Sequence, residues 1–208
     1  MTQIATICFP NAQQIDDRFH VQQLVSDALQ EVRVALRKEA IKEDNAKVSE
    51  ARAKGKYHKP HRYENDDTLK ELLARGRYLL YKSSSRWSAS QKERASILFR
   101  EFPKLEIAYK LSMQFRGIYE HAKTADDGRQ RLQRWYKSVE KRLEIFPNFE
   151  TPMQTIRLHE DTIVNYFHDR RTNASAESFN SKIKNFRALQ RGVRDVKFFL
   201  FRLSKLYG

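Results

Sequence analysis

The residues of this sequence best placed to do chemistry lie near its C-terminal end, on a helical pattern that begins near Ala174. At a helical advance of about 100° per residue, Phe179, Ile183 and Phe186 fall within about 60° of one another. With Phe179 set at zero, Glu177 lies at about 160°, Asn180 at about 100° and Lys184 at about 140°. An acid, an amide and a cation therefore share a face opposite an apolar stripe. A carboxylate in a helix's first turn, beside an amide and a lysine, could hold a metal ion and a phosphate. The same pattern also describes an ordinary solvated face. A second candidate, His58 and His61, forms H-x-x-H in a basic loop with no carboxylate-rich helix nearby. That pair reads as solvated rather than zinc-bound. Cys8 is the sole cysteine, so neither an intrachain disulfide nor a cysteine zinc site can form, and a reducing compartment fits best.

The elements that must position these groups read as helices. The chain has 208 residues, enough for one sizeable domain or two small ones, and only 6 Gly and 5 Pro. So few breakers favour long helices over many short strands. Val21, Leu24, Val25, Ala28, Val32, Ala35 and Leu36 recur at helical spacing across residues 21–41. Before them, residues 13–17 form a candidate strand in which Ile15 is the sole strong strand former. Residues 53–66 read as a loop. Ser90 and Glu93 form a capping box, and Pro103 ends that helix or opens the next. Leu105, Ala108, Leu111, Phe115, Ile118 and Ala122 make one apolar stripe. Thr124, followed by Asp126 and Asp127, offers a second helix start with acids at the positive dipole end. Leu132, Trp135, Tyr136, Val139, Leu143 and Phe146 make the next stripe, stopped by Pro147. These stripes, Trp135 included, read as core.

Residues 173–207 read as two further helices separated by Gly192. Phe179, Ile183 and Phe186 should anchor the first, and Phe198, Phe199, Leu200, Phe201 and Leu203 the second. Residues 180–208 carry eight cations against one acid, half of the chain's formal net charge of +14. A surface this basic attracts polyanions. No apolar run approaches the roughly 20 residues of a membrane span, and residues 1–8 are too short and polar for a secretory signal. Nucleic acid is therefore the expected partner, with no membrane association.

The segment Asn165-Tyr-Phe-His-Asp-Arg-Arg-Thr-Asn-Ala-Ser-Ala-Glu177-Ser-Phe-Asn180-Ser-Lys-Ile-Lys184 resembles the C-terminal signature of the ISL3 family of transposases. The segment Phe9-Pro-Asn-Ala-Gln-Gln-Ile-Asp-Asp17-Arg-Phe-His20-Val is similar to an earlier word of the same family. Between them, Trp87 ahead of a Ser-capped helix, Ala108-Tyr-Lys-Leu111, Leu132 with Trp135, and Phe146 follow in the family's order. The resemblance covers nearly the whole chain. It implies a DDE catalytic core of ribonuclease-H type, in which three carboxylates hold two divalent ions, normally Mg2+. Asp17 matches the second carboxylate, with Asp16 a possible confusion by one residue, and Glu177 matches the third. Both are therefore expected as catalytic residues and metal ligands. Asn180, Lys184, Arg187, Arg191, Arg170 and Arg171 are expected to contact DNA.

The implied fold is mainly α, with a partial ribonuclease-H-like α/β core made of an N-terminal strand and the C-terminal helices. A long all-helical insertion interrupts it. Residues 1–20 would belong to the core, 21–160 to the insertion, and 161–208 to the final core helices with their basic DNA-facing surface. The implied function is cleavage and transfer of DNA strands, with double-stranded DNA at the element's ends and target as partner. The rival is a helical DNA-binding remnant that uses the same basic face without metal. The sequence departs from the family pattern in lacking the first Asp and the N-terminal zinc-binding and DNA-recognition parts, and in carrying Ser178 where the family often has Gly. The expectation is a chain inactive by itself, completed by a transposase part encoded upstream, working in the cytoplasm at the nucleoid and as a homodimer when complete.

Overall fold

A computed structural model describes residues 13–170 and 174–207. The described residues are mainly helical and contain no strand. The chain divides into two compact units, 1–169 and 170–208.

The first unit is built on a long helix, α1 (Arg18–Ala53), of 36 residues. Its buried face carries Val21, Val25, Ala28, Leu29 and Ala40, spaced by three, four and seven or their sums as one helical stripe requires. Helices α2 (Leu69–Arg75) and α3 (Arg77–Leu80) follow the loop after α1 and pack back on it. Then come α4 (Ala89–Glu101), α5 (Pro103–His121) and α6 (Ala125–Glu140). Helix α5 packs on both α1 and α6. All six residues of its expected stripe, Leu105 to Ala122, are buried. Pro103 is its first residue, where the missing N–H costs nothing. Thr124 caps α6 by accepting from the Asp127 N–H at 3.2 Å, as the sequence suggested. The indole of Trp135 is core and donates to the Leu111 carbonyl at 2.9 Å. The unit ends with α7 (Glu150–Leu158), α8 (Glu160–Val164) and α9 (Tyr166–Asp169).

Several expectations are corrected. Residues 13–17 form no strand, because their hydrogen bonds run to the α8 region: the Asp16 N–H donates to the Thr162 carbonyl, and the Asn165 amide donates to the Gln14 carbonyl. The helix expected over 21–41 runs three residues earlier and twelve later. The capping box lies at Ser88 and Gln91, not Ser90 and Glu93. Starting two residues sooner, α4 leaves Ser90 inside its first turn, with its hydroxyl hydrogen-bonded to that of Ser88. Helix α6 stops at Glu140, before the expected Pro147, which instead opens a 3-10 turn. Phe146 is buried all the same. His58 is only partly solvated: its ring lies 3.2 Å from the Asp44 carboxylate. Among the described residues no group of three or more His, Cys, Asp or Glu could hold a metal ion, and no helix is long and apolar enough to cross a membrane.

The second unit pairs α10 (Ala174–Leu189) with α11 (Val196–Tyr207), the two helices the sequence led us to expect. The turn between them uses left-handed backbone at Arg191 and Gly192, with φ of 52° and 114°. Asp195 caps α11 by accepting from the Phe198 N–H at 3.0 Å. The buried centre is Phe186, Phe199 and Leu203, with Ile183 and Val193 against it, and Phe186 stacks on Phe199 at 5.5 Å. Phe198, Leu200 and Phe201 do not join it and stay 57%, 56% and 57% exposed. Residues 199 and 203 are one turn apart and share a face, whereas 198, 200 and 201 point away from it. Phe179, expected as an anchor, is 44% exposed.

Candidate functional site

Asp17 stands at the junction between the extended segment 13–17 and α1. Its Oδ1 accepts from the backbone N–H groups of Phe19 at 2.7 Å and His20 at 3.1 Å. It is thus the N-cap of the long helix, and satisfies two of the donors that every helix start leaves open. No hydrogen bond to Oδ2 is present among the described residues. A carboxylate oxygen is a hard donor of the kind that cations of the magnesium type favour.

Asp16 is held differently. Its Oδ2 accepts from the Thr162 hydroxyl and lies 3.5 Å from His159 Nδ1. With the Asp16–Thr162 backbone bond of 3.2 Å and the Asn165–Gln14 bond of 2.9 Å, these contacts tie segment 14–16 to α8 and the residue after it. Ile15 packs on the core beside them. Just past Asp17, the Arg18 guanidinium lies 5.4 Å from the centre of the Tyr119 ring. Burial, with Asp16 next in effect, pushes the Tyr119 hydroxyl well above its usual range. The backbone on both sides of Asp17 is thus fixed. These anchors were not legible in the sequence: Asp16 and Thr162 are 146 positions apart, and no spacing rule links them.

The remaining site residues belong to the second unit or its lead-in. Glu177 falls in the first turn of α10, and its side chain lies outside the described residues, as does Arg171. Arg170 is exposed and adopts left-handed backbone, φ 51°, directly after the first unit. Asn180, Lys184 and Arg187 are exposed on α10. At helical spacing they fall within an arc of about 60°. Arg191 is exposed in the following turn. On α11, Arg202 lies over the Phe186 ring at 5.2 Å and Lys205 near Phe201 at 5.9 Å. The unit therefore presents cations interleaved with exposed aromatic rings, a surface able to take phosphates and apolar faces together.

A family model described as a transposase, of the DDE type and the ISL3 group, matches residues 1–203. No curated protein and no solved structure matches the chain.

Proposed function

The chain belongs to the ISL3 family of DDE-type transposases, and from that premise we propose that it supplies two of the metal-holding carboxylates, Asp17 and Glu177, together with a basic helical surface for double-stranded DNA. One observation supports the assignment of Asp17. The Gln14–Asn165 and Asp16–Thr162 hydrogen bonds hold the chain just before Asp17 against the chain that leaves the first unit. Asp169 closes that unit, and Glu177 follows it by eight positions in sequence. A fold that anchors the backbone before Asp17 in this way suits a carboxylate that must be held in place, and Glu177 is assigned by its motif position.

Asp17 and Glu177 would hold divalent ions such as Mg2+, whose chemistry when bound would be activation of a water or 3′-hydroxyl and neutralisation of charge on the leaving oxygen. The chain's own residues do the rest. Asp17 presents Oδ2 while its Oδ1 stays locked on the α1 backbone. Glu177, in the first turn of α10, would supply the other carboxylate. Asn180, Lys184, Arg187, Arg191, Arg170 and Arg171 track the DNA backbone, which positions the duplex without reading its sequence. The family's first carboxylate would come from an upstream transposase part, which would also complete a ribonuclease-H-like sheet around these residues. Residues 21–160 then form a helical insertion within that core.

The test is Mn2+ uptake by the full chain bound to a DNA duplex, read by electron paramagnetic resonance. Asp17→Asn is the informative variant, since asparagine caps a helix as well as aspartate but gives up the carboxylate. Asp17→Asn and Glu177→Gln should each abolish uptake and leave duplex affinity unchanged. Equal uptake by the wild type and both variants would sink the assignment. Salt-sensitive DNA binding with no uptake by the wild type would point instead to a metal-free DNA-binding protein.

A further inference from the structure

Away from that site, a cleft of about 630 Å³ opens between the middle of α1 and the corner joining α2 to α3. Its floor holds Arg33, which is only 6% exposed. A buried guanidinium is ordinarily matched by a carboxylate. Among the described residues this one has none within ion-pair distance. Its Nε donates to Gln30 Oε1 at 2.6 Å and one terminal nitrogen donates to the Leu73 carbonyl at 2.8 Å. Both partners are neutral. They engage two of the five N–H groups a guanidinium carries. Gln30, itself buried, is fixed by donating to the Arg77 carbonyl at 3.2 Å.

The charges around Arg33 are chiefly of its own sign. Arg77 and Lys38 line the cleft. Arg37 sits one turn after Arg33 on α1. Desolvation, then Arg77 and then Arg37, drives the Arg33 guanidinium below its ordinary range. Asp27 and Glu31 also line the cleft, both exposed, and Glu31 is engaged by the Asn148 amide at 2.6 Å. Contact with the α2 carbonyl accounts for one bond of Arg33. It does not account for three positive groups around a desolvated cation that no carboxylate matches among the described residues.

We propose that this cleft is an oxyanion site, in which Arg33 at the floor and Arg77 and Lys38 in its lining take a phosphate group, either free or in a nucleic-acid backbone. A planar guanidinium suits the tetrahedral oxygens of phosphate, and the bound charge would supply a counter-ion for Arg33. The inference is independent of the metal reading, because every residue involved lies on α1, α2 or α3 and their junctions.

The test uses the full chain with Arg77→Ala and Lys38→Ala, both exposed positions that leave the buried contacts in place. Thermal melting is followed against inorganic phosphate and against chloride at equal ionic strength. A saturable rise in Tm specific to phosphate, with affinity about tenfold lower in each variant, establishes a site for free phosphate. A random-sequence duplex is then titrated across salt concentrations. A weaker affinity and a salt slope lower by about one contact in each variant establishes that the phosphate belongs to nucleic acid. Phosphate acting no differently from chloride, together with duplex binding unchanged in both variants, overturns the proposal.

Discussion

Two glycines in neighbouring helices should answer the same substitution with opposite signs. Gly117 lies in α5 and Gly128 in α6. Within a helix, Gly costs about 0.8–1.0 kcal/mol relative to Ala, so Gly→Ala gains about that much wherever the new methyl fits. At Gly117 it fits, the nearest heavy atom being His121 Cδ2 at 3.6 Å. At Gly128 the methyl would stand 2.5 Å and 2.6 Å from Phe167 Cε2 and Cδ2. That is about 1 Å inside the usual carbon–carbon optimum. The ring has little room to retreat: Phe167 is 4% exposed and packs on Tyr119 at 5.7 Å and Tyr166 at 5.5 Å between ring centres. Overpacking of this kind costs about 1–3 kcal/mol, and two fixed partners place this case at the upper end.

Set against the propensity gain, Gly128→Ala should lose about 2 kcal/mol, whereas Gly117→Ala should gain up to about 1 kcal/mol. For a chain of this size, 1 kcal/mol moves Tm by about 2–4 °C. Melting followed by circular dichroism should therefore show a fall of about 4–8 °C for Gly128→Ala and a rise of up to about 4 °C for Gly117→Ala. The double variant Gly128→Ala/Phe167→Leu isolates the contact, because a smaller side chain removes the collision. Its loss should be less than the sum of the single losses by about 1 kcal/mol or more. A Gly128→Ala protein that melts as high as Gly117→Ala would refute the packing assigned to α6 and α9.

Asp67 is fully buried, accepts from Asn65 at 2.8 Å and from Arg94 at 2.8 Å, and is also paired with Arg75. Asp67→Ala leaves both guanidiniums without it and should cost on the order of 3 kcal/mol, read as a shift of the urea midpoint at unchanged slope. Lys70, and after it His58, hold the Asp44 carboxyl below its ordinary range against an opposing desolvation. That stabilisation is complete above the unfolded carboxylate pKa and is lost as pH falls through the depressed folded value. Asp44→Asn should therefore lower Tm at pH 6, and the difference from wild type should close on acidification below about pH 4. Trp135→Phe deprives the Leu111 carbonyl of its 2.9 Å donor and should cost about 1 kcal/mol or more in a chemical denaturation curve.

The helical architecture was legible in the sequence where the apolar period was long and its ends carried caps. The stripes of α5 and α6 are the clearest cases, fixed by seven-residue periodicity, Pro103 and Thr124. The extent of α1 was not legible. Beyond residue 41 its sequence is polar, and only the contacts of Asp44 with Lys70 at 2.7 Å and with His58 show why this segment is held. Those partners arrive from a loop and from another helix. Aromatic content also misled at the C-terminal end. Five apolar residues of α11 looked equivalent as composition, but a two-helix unit has one inner face and buries only Phe199 and Leu203 of them.

The acid pair at 16–17 shows most clearly what spacing leaves undecided. Adjacent aspartates carry the same chemistry, and a motif word shifted by one residue fits either. Their surroundings separate them. Asp16 faces α8, where a hydroxyl and an imidazole meet its Oδ2. Asp17 begins α1, where two backbone N–H groups meet its Oδ1. The first carboxylate is turned into the protein by a long-range tie that no local rule supplies. The second is oriented by its own helix, a local effect that follows from any Asp standing at a helix start. Asp16 carries the long-range tie and Asp17 matches the motif position, so replacing Asp16 should act through fold stability and replacing Asp17 through metal. Asp16→Asn should therefore lower Tm while Mn2+ uptake by the folded protein persists, and Asp17→Asn should leave Tm nearly unchanged while uptake is lost. The reverse pattern would move the ligand assignment to Asp16.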